Sequence, residues 1–225
     1  MFILIVNQEP LGRALAGELV ARGHEVSYLD DNEEYCRQVS IELGCLVTLG
    51  ETTNINMLRE AGIERADVVV ALQEKDIKNI MVGIFARQFR VPTILSRIRQ
   101  EHYRHAYELA GIQSLFSAFE FLLNNILIAI EEPSVKRVMR LGDGRIEIAS
   151  IAVTLGSPQA GRSLDTLWQR PAFPKGALIL GLLTAKGQAF VLPGERPELQ
   201  AGDEILMIGT PDDVHRVSTL VSRQR

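Results

Sequence analysis

The sequence has no apolar run of the ~20 residues that a membrane-spanning helix requires. Its most hydrophobic stretch, Phe119 to Ile130, is shorter and is interrupted by Glu120, Asn124 and Asn125. It has no large basic cluster either: 24 Lys and Arg against 28 Asp and Glu leave a net charge of −4, which argues against nucleic acid as a partner. Only two cysteines are present, Cys36 and Cys45, too few for a disulfide framework and at no metal-ligand spacing. Both read as ordinary buried or half-buried thiols. The first apolar strand starts at once, so no signal peptide is expected. No Ser–His–Asp order, no framed pair of catalytic acids and no nucleophile elbow stands out, and no catalytic residue is assigned. His102 and His105, with Glu101 and Glu108, share one helix, but H-x-x-H without further ligands reads as a solvated face. Glu131 and Glu132 are likewise too commonplace a pair to assign a cation site. With 46% hydrophobic residues in 225, the chain has enough apolar material for one large or two modest cores and reads as soluble and cytoplasmic.

Glycine is scarce at one decisive place. Phe2 to Val6 (FILIV) is a short, wholly apolar run of the kind a buried parallel strand shows. A helical stretch from Leu11 to Arg22 follows, closed by Gly23, and then a second apolar strand, Glu25 to Leu29, ending on Asp30. Strand, turn, helix, strand and acid, with the acid about 20 residues beyond the turn, is the order of a dinucleotide-binding unit. Its glycine fingerprint G-x-G-x-x-G falls on Asn7 to Gly12, which reads N-Q-E-P-L-G. Only Gly12, the helix-packing position, is glycine. Asn7 partly replaces the first glycine because Asn tolerates left-handed backbone angles. Glu9 puts a side chain and a negative charge where the backbone would approach a pyrophosphate. Pro10 starts a helix acceptably but removes one N–H that would face an anion.

From Met1 to about Phe116, strands at 2–6, 25–29, 45–48, 68–72, 93–96 and 114–116 alternate with helices at 11–22, 33–43, 54–61, 75–89 and 100–110. That grammar predicts an α/β fold with a Rossmann-like, doubly wound parallel sheet. Residues 119–130 follow as a helix too apolar for one buried stripe. It either packs inside the domain or crosses to a partner subunit, and its near-continuous apolarity favours the second. Domain boundaries are expected at 1–131, a linker at 132–144 ending in the Gly142 to Gly144 turn, and 145–225. The last part carries short strands at 146–155, 177–183, 188–192 and 204–208, with a turn at Lys186-Gly187. Helices at 164–169 and 212–222 complete a smaller α+β domain.

Several residues then combine into a resemblance. Gly50-Glu51-Thr52-Thr53 follows the third strand, Leu58-Arg59-Glu60-Ala61-Gly62-Ile63 and Ala66-Asp67 come next, Asp76 and Asn79 open the long helix, Ala86-Arg87 lies within it, and Ser96-Arg97-Ile98 closes the fifth strand. This order resembles the RCK domain of TrkA and KtrA proteins, cytoplasmic regulators of potassium transporters and channels, with G-E-T-T in place of the usual G-D-A-T. The C-terminal part is similar to the companion RCK C-terminal (TrkA-C) domain through Ser157-Pro158-x-Ala160-Gly161-x-Ser163-Leu164, the strand 178–183, Leu192-Pro193 and Ala201-Gly202-Asp203-Glu204-Ile205-Leu206.

The resemblance implies a homo-oligomer, a dimer that often assembles into an octameric ring beneath a membrane potassium transporter or channel subunit. It also implies an adenine nucleotide (ATP, ADP, NAD or NADH) in the N-terminal cleft, whose binding changes the ring's shape and gates ion flux. Carried over by position, the cofactor-binding residues are Asn7, Glu9, Gly12, Asp30, Glu51, Thr52, Gln73 and Arg97. Asp30 would contact the ribose hydroxyls, Glu51 and Thr52 the adenine or ribose, and Arg97 the cleft or the dimer interface. No metal ligand is assigned. The departures at Asn7, Gln8, Glu9 and Pro10, where ATP-binding members often carry a phosphate-contacting Arg, imply nucleotide binding that is weakened or lost. Two other readings stand beside this one: a small-ligand sensor acting through the C-terminal domain, as with cyclic di-AMP, and an NAD(P)-dependent enzyme of Rossmann type.

Overall fold

The computed structural model describes the chain except for residues 8–9, 113, 142–144, 186–188, 196 and 223–225. The described residues form two compact units, Met1–Leu122 and Leu123–Arg225.

In the first unit six parallel strands, β1 (Phe2–Asn7), β2 (Glu25–Asp30), β3 (Leu46–Leu49), β4 (Val68–Leu72), β5 (Thr93–Arg97) and β6 (Ser114–Phe116), lie in the order β3-β2-β1-β4-β5-β6. The order reverses between β1 and β4, which makes the C-terminal ends of those strands the switch point of a doubly wound sheet. Strand β1, apolar from Phe2 to Val6, is central and buried on both faces because successive side chains alternate. Ile3 and Ile5 pack with Ala16 of α1 (Pro10–Ala21) and Val39 of α2 (Glu33–Leu43). Leu4 and Val6 pack on the other side with Leu58 of α3 (Ile55–Glu60) and Val82 and Ala86 of α4 (Asp76–Gln88). Asn32 caps α2 by accepting a hydrogen bond from the Tyr35 amide, and Gly44 ends that helix at φ 61°, an angle that favours glycine. The expected helix at 100–110 is α5 (Arg104–Leu109), preceded by a 3₁₀ turn at Glu101–Tyr103. Cys36 is buried, Cys45 half-buried, and both are free thiols.

Helix α6 (Ala118–Glu131) contains no buried residue. Phe119, Phe121, Leu122, Leu123, Ile126, Leu127 and Ile130 are all between 42% and 72% exposed. The alternative of burial within its own domain is therefore not met, which leaves the favoured reading, a helix that crosses to a partner subunit. Sequence apolarity marks what a helix needs to cover, and among the described residues this face stays exposed.

The second unit is built on an antiparallel sheet in the order β10-β9-β11-β8-β7. Its strands are β7 (Val135–Leu141), β8 (Ile146–Ala152), β9 (Leu178–Leu183), β10 (Phe190–Val191) and β11 (Glu204–Gly209). One sheet face, with Ile151, Ile179, Ile205 and Met207, packs on α7 (Leu164–Trp168) and α8 (Pro211–Val221). Thr210 and Asp213 close a reciprocal capping box at the start of α8. Residues 135–141, expected within a linker, are instead strand β7. A register shift between Val135 and Arg137 breaks the two-residue alternation by which a strand is read. The turns expected at Gly142 to Gly144 and Lys186-Gly187 lie outside the described residues.

Candidate functional site: the C-terminal edge of the parallel sheet

The parallel sheet gathers the sequence-assigned residues along one edge. Asn7 ends β1, Asp30 ends β2, Glu51 and Thr52 follow β3, Gln73 follows β4 and Arg97 ends β5. Gly12 lies in the first turn of α1, and Glu9 falls outside the described residues. Open α/β sheets place their ligand crevices at this edge.

The edge has two polar clusters. In the first, β1 and β2 pair with Val6 beside Leu29, which puts Asn7 next to Asp30. Asn7 Nδ2 donates to Tyr28 Oη at 2.7 Å and lies 3.5 Å from Asp30 Oδ2. Tyr28 Oη donates in turn to Asp30 Oδ2 at 3.1 Å. The other carboxylate oxygen, Oδ1, accepts the Asn32 amide at 2.9 Å. Asn7, Tyr28 and Asp30 are each 0% exposed. Burial raises the Asp30 pKa, an effect that the hydrogen bonds from Asn32, Tyr28 and Asn7 oppose. Burial, reinforced by the Asp30 charge, pushes the Tyr28 hydroxyl above its ordinary range. The Cys36 thiol, buried beside Asp30, is pushed up to about 11. Asp30 therefore presents no carboxylate oxygen to solvent.

The second cluster joins β4, β5 and α4. Thr52 Oγ1 donates to Gln73 Oε1, both residues being fully buried, and Gln73 Nε2 has no partner among the described residues. The Gln73 amide donates to Asn79 Oδ1 at 2.8 Å, and Asn79 Nδ2 donates to the carbonyls of Gln73 and Arg97 at 3.0 and 3.3 Å. Asp76 accepts the amides of Arg99 and Gln100 at 2.9 and 3.1 Å, and the Tyr107 hydroxyl lies 2.9 Å from both Asp76 Oδ1 and the Arg97 carbonyl. Over these lies Lys78, whose Nζ is 3.3 Å from Asp31 and 3.2 Å from Glu51. The Glu51 pKa is lowered, first by its Thr53 hydrogen bond; burial opposes this, and Lys78 adds to the lowering.

Sequence reasoning missed Tyr28 and Lys78. The signal for Tyr28 was available: it is a polar aromatic two residues before Asp30 in the same strand, and so on the same face. Lys78 carried none, because its partners, Asp31 and Glu51, come from two different connections. Among the described residues no group of three His, Cys, Asp or Glu side chains is placed to hold a metal ion.

Gly12 shows how tightly Asn7 is seated. A Cβ added there would overlap the Asn7 side chain. Helix propensity favours Ala over Gly by up to about 1 kcal/mol. The overlap costs more, about 1–3 kcal/mol, so Gly12→Ala is expected to destabilise the protein. In an Asn7→Gly background the same change is expected to be neutral or stabilising. Urea denaturation of the four proteins of this cycle reads the coupling, and additive effects would show that the two residues do not share this space.

Comparison with known proteins decides the family. The TrkA-N domain matches residues 3–118 and the TrkA-C domain residues 148–222. The chain belongs to the TrkA family. A Trk system potassium uptake protein TrkA homolog of Methanothermobacter thermautotrophicus is 30% identical over 153 residues, 68% of this chain and 71% of that one. The Trk system potassium uptake protein TrkA of Mycobacterium tuberculosis is 23% identical over 223 residues, 98% of each chain. Among solved structures, a GsuK channel bound to NAD aligns with all of this chain at TM-score 0.68 and 21% identity. A GsuK structure bound to ADP aligns with 59% of the chain at TM-score 0.51 and 21% identity. At these identities the likeness shows the fold. This TrkA-family chain spans 40% of the NAD-bound GsuK chain. Its two-domain, Rossmann-like architecture is thus that of RCK proteins.

The adenine nucleotide that the family implies meets a mismatch at β2. Two ribose hydroxyls need accessible carboxylate oxygens, and those of Asp30 are buried and already accept protein donors.

Proposed function

We propose that this protein is a non-catalytic regulatory subunit of a potassium uptake system or channel. It assembles as a homo-oligomer on the cytoplasmic face of a membrane partner and gates it by changing shape. The observation that carries this reading is the pairing of TrkA-N and TrkA-C domains over most of the chain, together with its alignment to a protein named Trk system potassium uptake protein TrkA over 98% of each chain. The exposed apolar α6 supports assembly, because so long an uncovered face is costly in water. No described helix is long and apolar enough to cross a membrane; in this proposal the partner supplies the attachment to the membrane. Adenine nucleotide binding in the N-terminal cleft is weakened. Asn7 stands for the first glycine of the phosphate turn, and Pro10, at the start of α1, supplies no N–H to an anion.

The test is potassium-limited growth. A bacterial strain lacking its own TrkA subunit, supplied with the Trk-type membrane subunit that accompanies this chain, is expected to take up potassium only when the chain is co-expressed. Equal uptake with and without the chain would reject the proposal.

A second reading places small-ligand sensing in the C-terminal unit. It is favoured by a concavity of about 880 Å³ lined by Glu131, Glu132, Ser134, Thr154, His215 and Ser218 among others.

A further inference from the structure

The proposed loss of nucleotide binding follows from the phosphate turn, but the first polar cluster points to a separate block at the ribose end. A ribose diol would reach Asp30 as two O–H donors. The protein already supplies donors at both carboxylate oxygens: the Asn32 amide on Oδ1, and the Tyr28 hydroxyl with the Asn7 amide on Oδ2. These donors are anchored rather than loosely placed. Tyr28 is part of the core formed with Ile3, Ile5 and Val39, and Asn7 fills the space over Gly12 that the glycine there leaves open. Ordinary side-chain motion at the surface would not uncover Asp30.

We infer that Asn7 and Tyr28 act as a built-in substitute for the ribose diol, and that Asn7 is the residue that sets the N-terminal cleft against nucleosides and nucleotides of any charge. This rests on the proposed reading of that cleft as the family's nucleotide site. It differs from a defect of the phosphate turn in one respect that can be tested: it excludes uncharged adenosine as firmly as ATP. A turn defect alone leaves adenosine binding intact, since adenosine carries no phosphate.

The experiment is calorimetric titration of adenosine and ATP into the wild-type protein, Asn7→Gly and Tyr28→Phe, each checked for fold by circular dichroism. The wild type is expected to take up neither ligand at millimolar concentration. Asn7→Gly is expected to gain at least about tenfold in adenosine affinity, the value of one net hydrogen-bonded contact. Tyr28→Phe removes one donor from Asp30 and leaves Asn7 in place, so a smaller gain is expected. It also keeps the test alive should Asn7→Gly not fold. The inference is overturned if the wild type binds adenosine as tightly as the variants. It is equally overturned if a folded variant gains nothing, which would put the block elsewhere in the cleft. Asp30→Asn adds a control. Loss of any wild-type nucleotide binding on that change would mean that Asp30 already serves a ligand, contrary to the inference. None of these outcomes bears on potassium uptake, which tests the regulatory role separately.

Discussion

Leu122→Asp combined with Ile126→Asp is expected to reduce the protein to a monomer of 25.0 kDa, while the wild type runs at twice that mass or more by light scattering. The two positions are one helical turn apart on α6, 60% and 48% exposed, and within the stripe that also carries Phe119, Leu123 and Ile130. Fully covering one such side chain contributes about 1.5–3 kcal/mol. The five side chains of that stripe, 42–70% exposed, on each of two helices offset an association cost of roughly 4–15 kcal/mol. Two unpaired carboxylates in that seam reverse the balance, because a buried charge without a partner is far more costly than the contacts it replaces. Ile128 is left unchanged, since it packs against the core of the C-terminal unit and its loss would confuse assembly with folding. A wild-type monomer at tens of micromolar, or a variant of unchanged mass, would remove α6 as the assembly element.

Asp76→Ala is expected to cost about 3–5 kcal/mol in stability, the largest effect among single substitutions at the sheet edge. Asp76 is 5% exposed and accepts three donors: two backbone amides from the segment after β5 and the Tyr107 hydroxyl. Removing the carboxylate orphans those donors at about 1–3 kcal/mol each. Tyr107→Phe deletes one donor and leaves Asp76 with two, so a loss of about 1 kcal/mol is expected. Because this cluster also fixes the Arg97 carbonyl, both variants are expected to loosen the β5 end of the cleft. Urea denaturation gives the two values. Similar costs for Asp76→Ala and Tyr107→Phe would show that the backbone amides find water instead and that the cluster is not a hub.

The parallel sheet was legible because its strands are short apolar runs separated by amphipathic helices, and the buried β1 shows it most plainly. Strand β7 was hidden by the register shift near Val135 and by flanking Pro133 and Gly142, which read as linker. The strand ends were legible as a row of polar residues after apolar runs. What each one bonds to was not. The Asn7–Tyr28–Asp30 contact depends on the register of β1 against β2, a tertiary quantity that periodicity does not encode. The same holds for Lys78, at the start of a helix packed on β4 and β5, which meets Asp31 and Glu51 in the segments after β2 and β3. Helix α6 was legible as a surface that needs a partner, and a single chain has none to offer.

The most direct test of the regulatory role is rubidium flux through the cognate Trk-type membrane subunit in lipid vesicles, measured with and without the purified chain. A flux that changes on addition of the chain, and no longer changes with the Leu122→Asp, Ile126→Asp variant, is the predicted result. A flux indifferent to the wild-type chain at saturating concentration would contradict it.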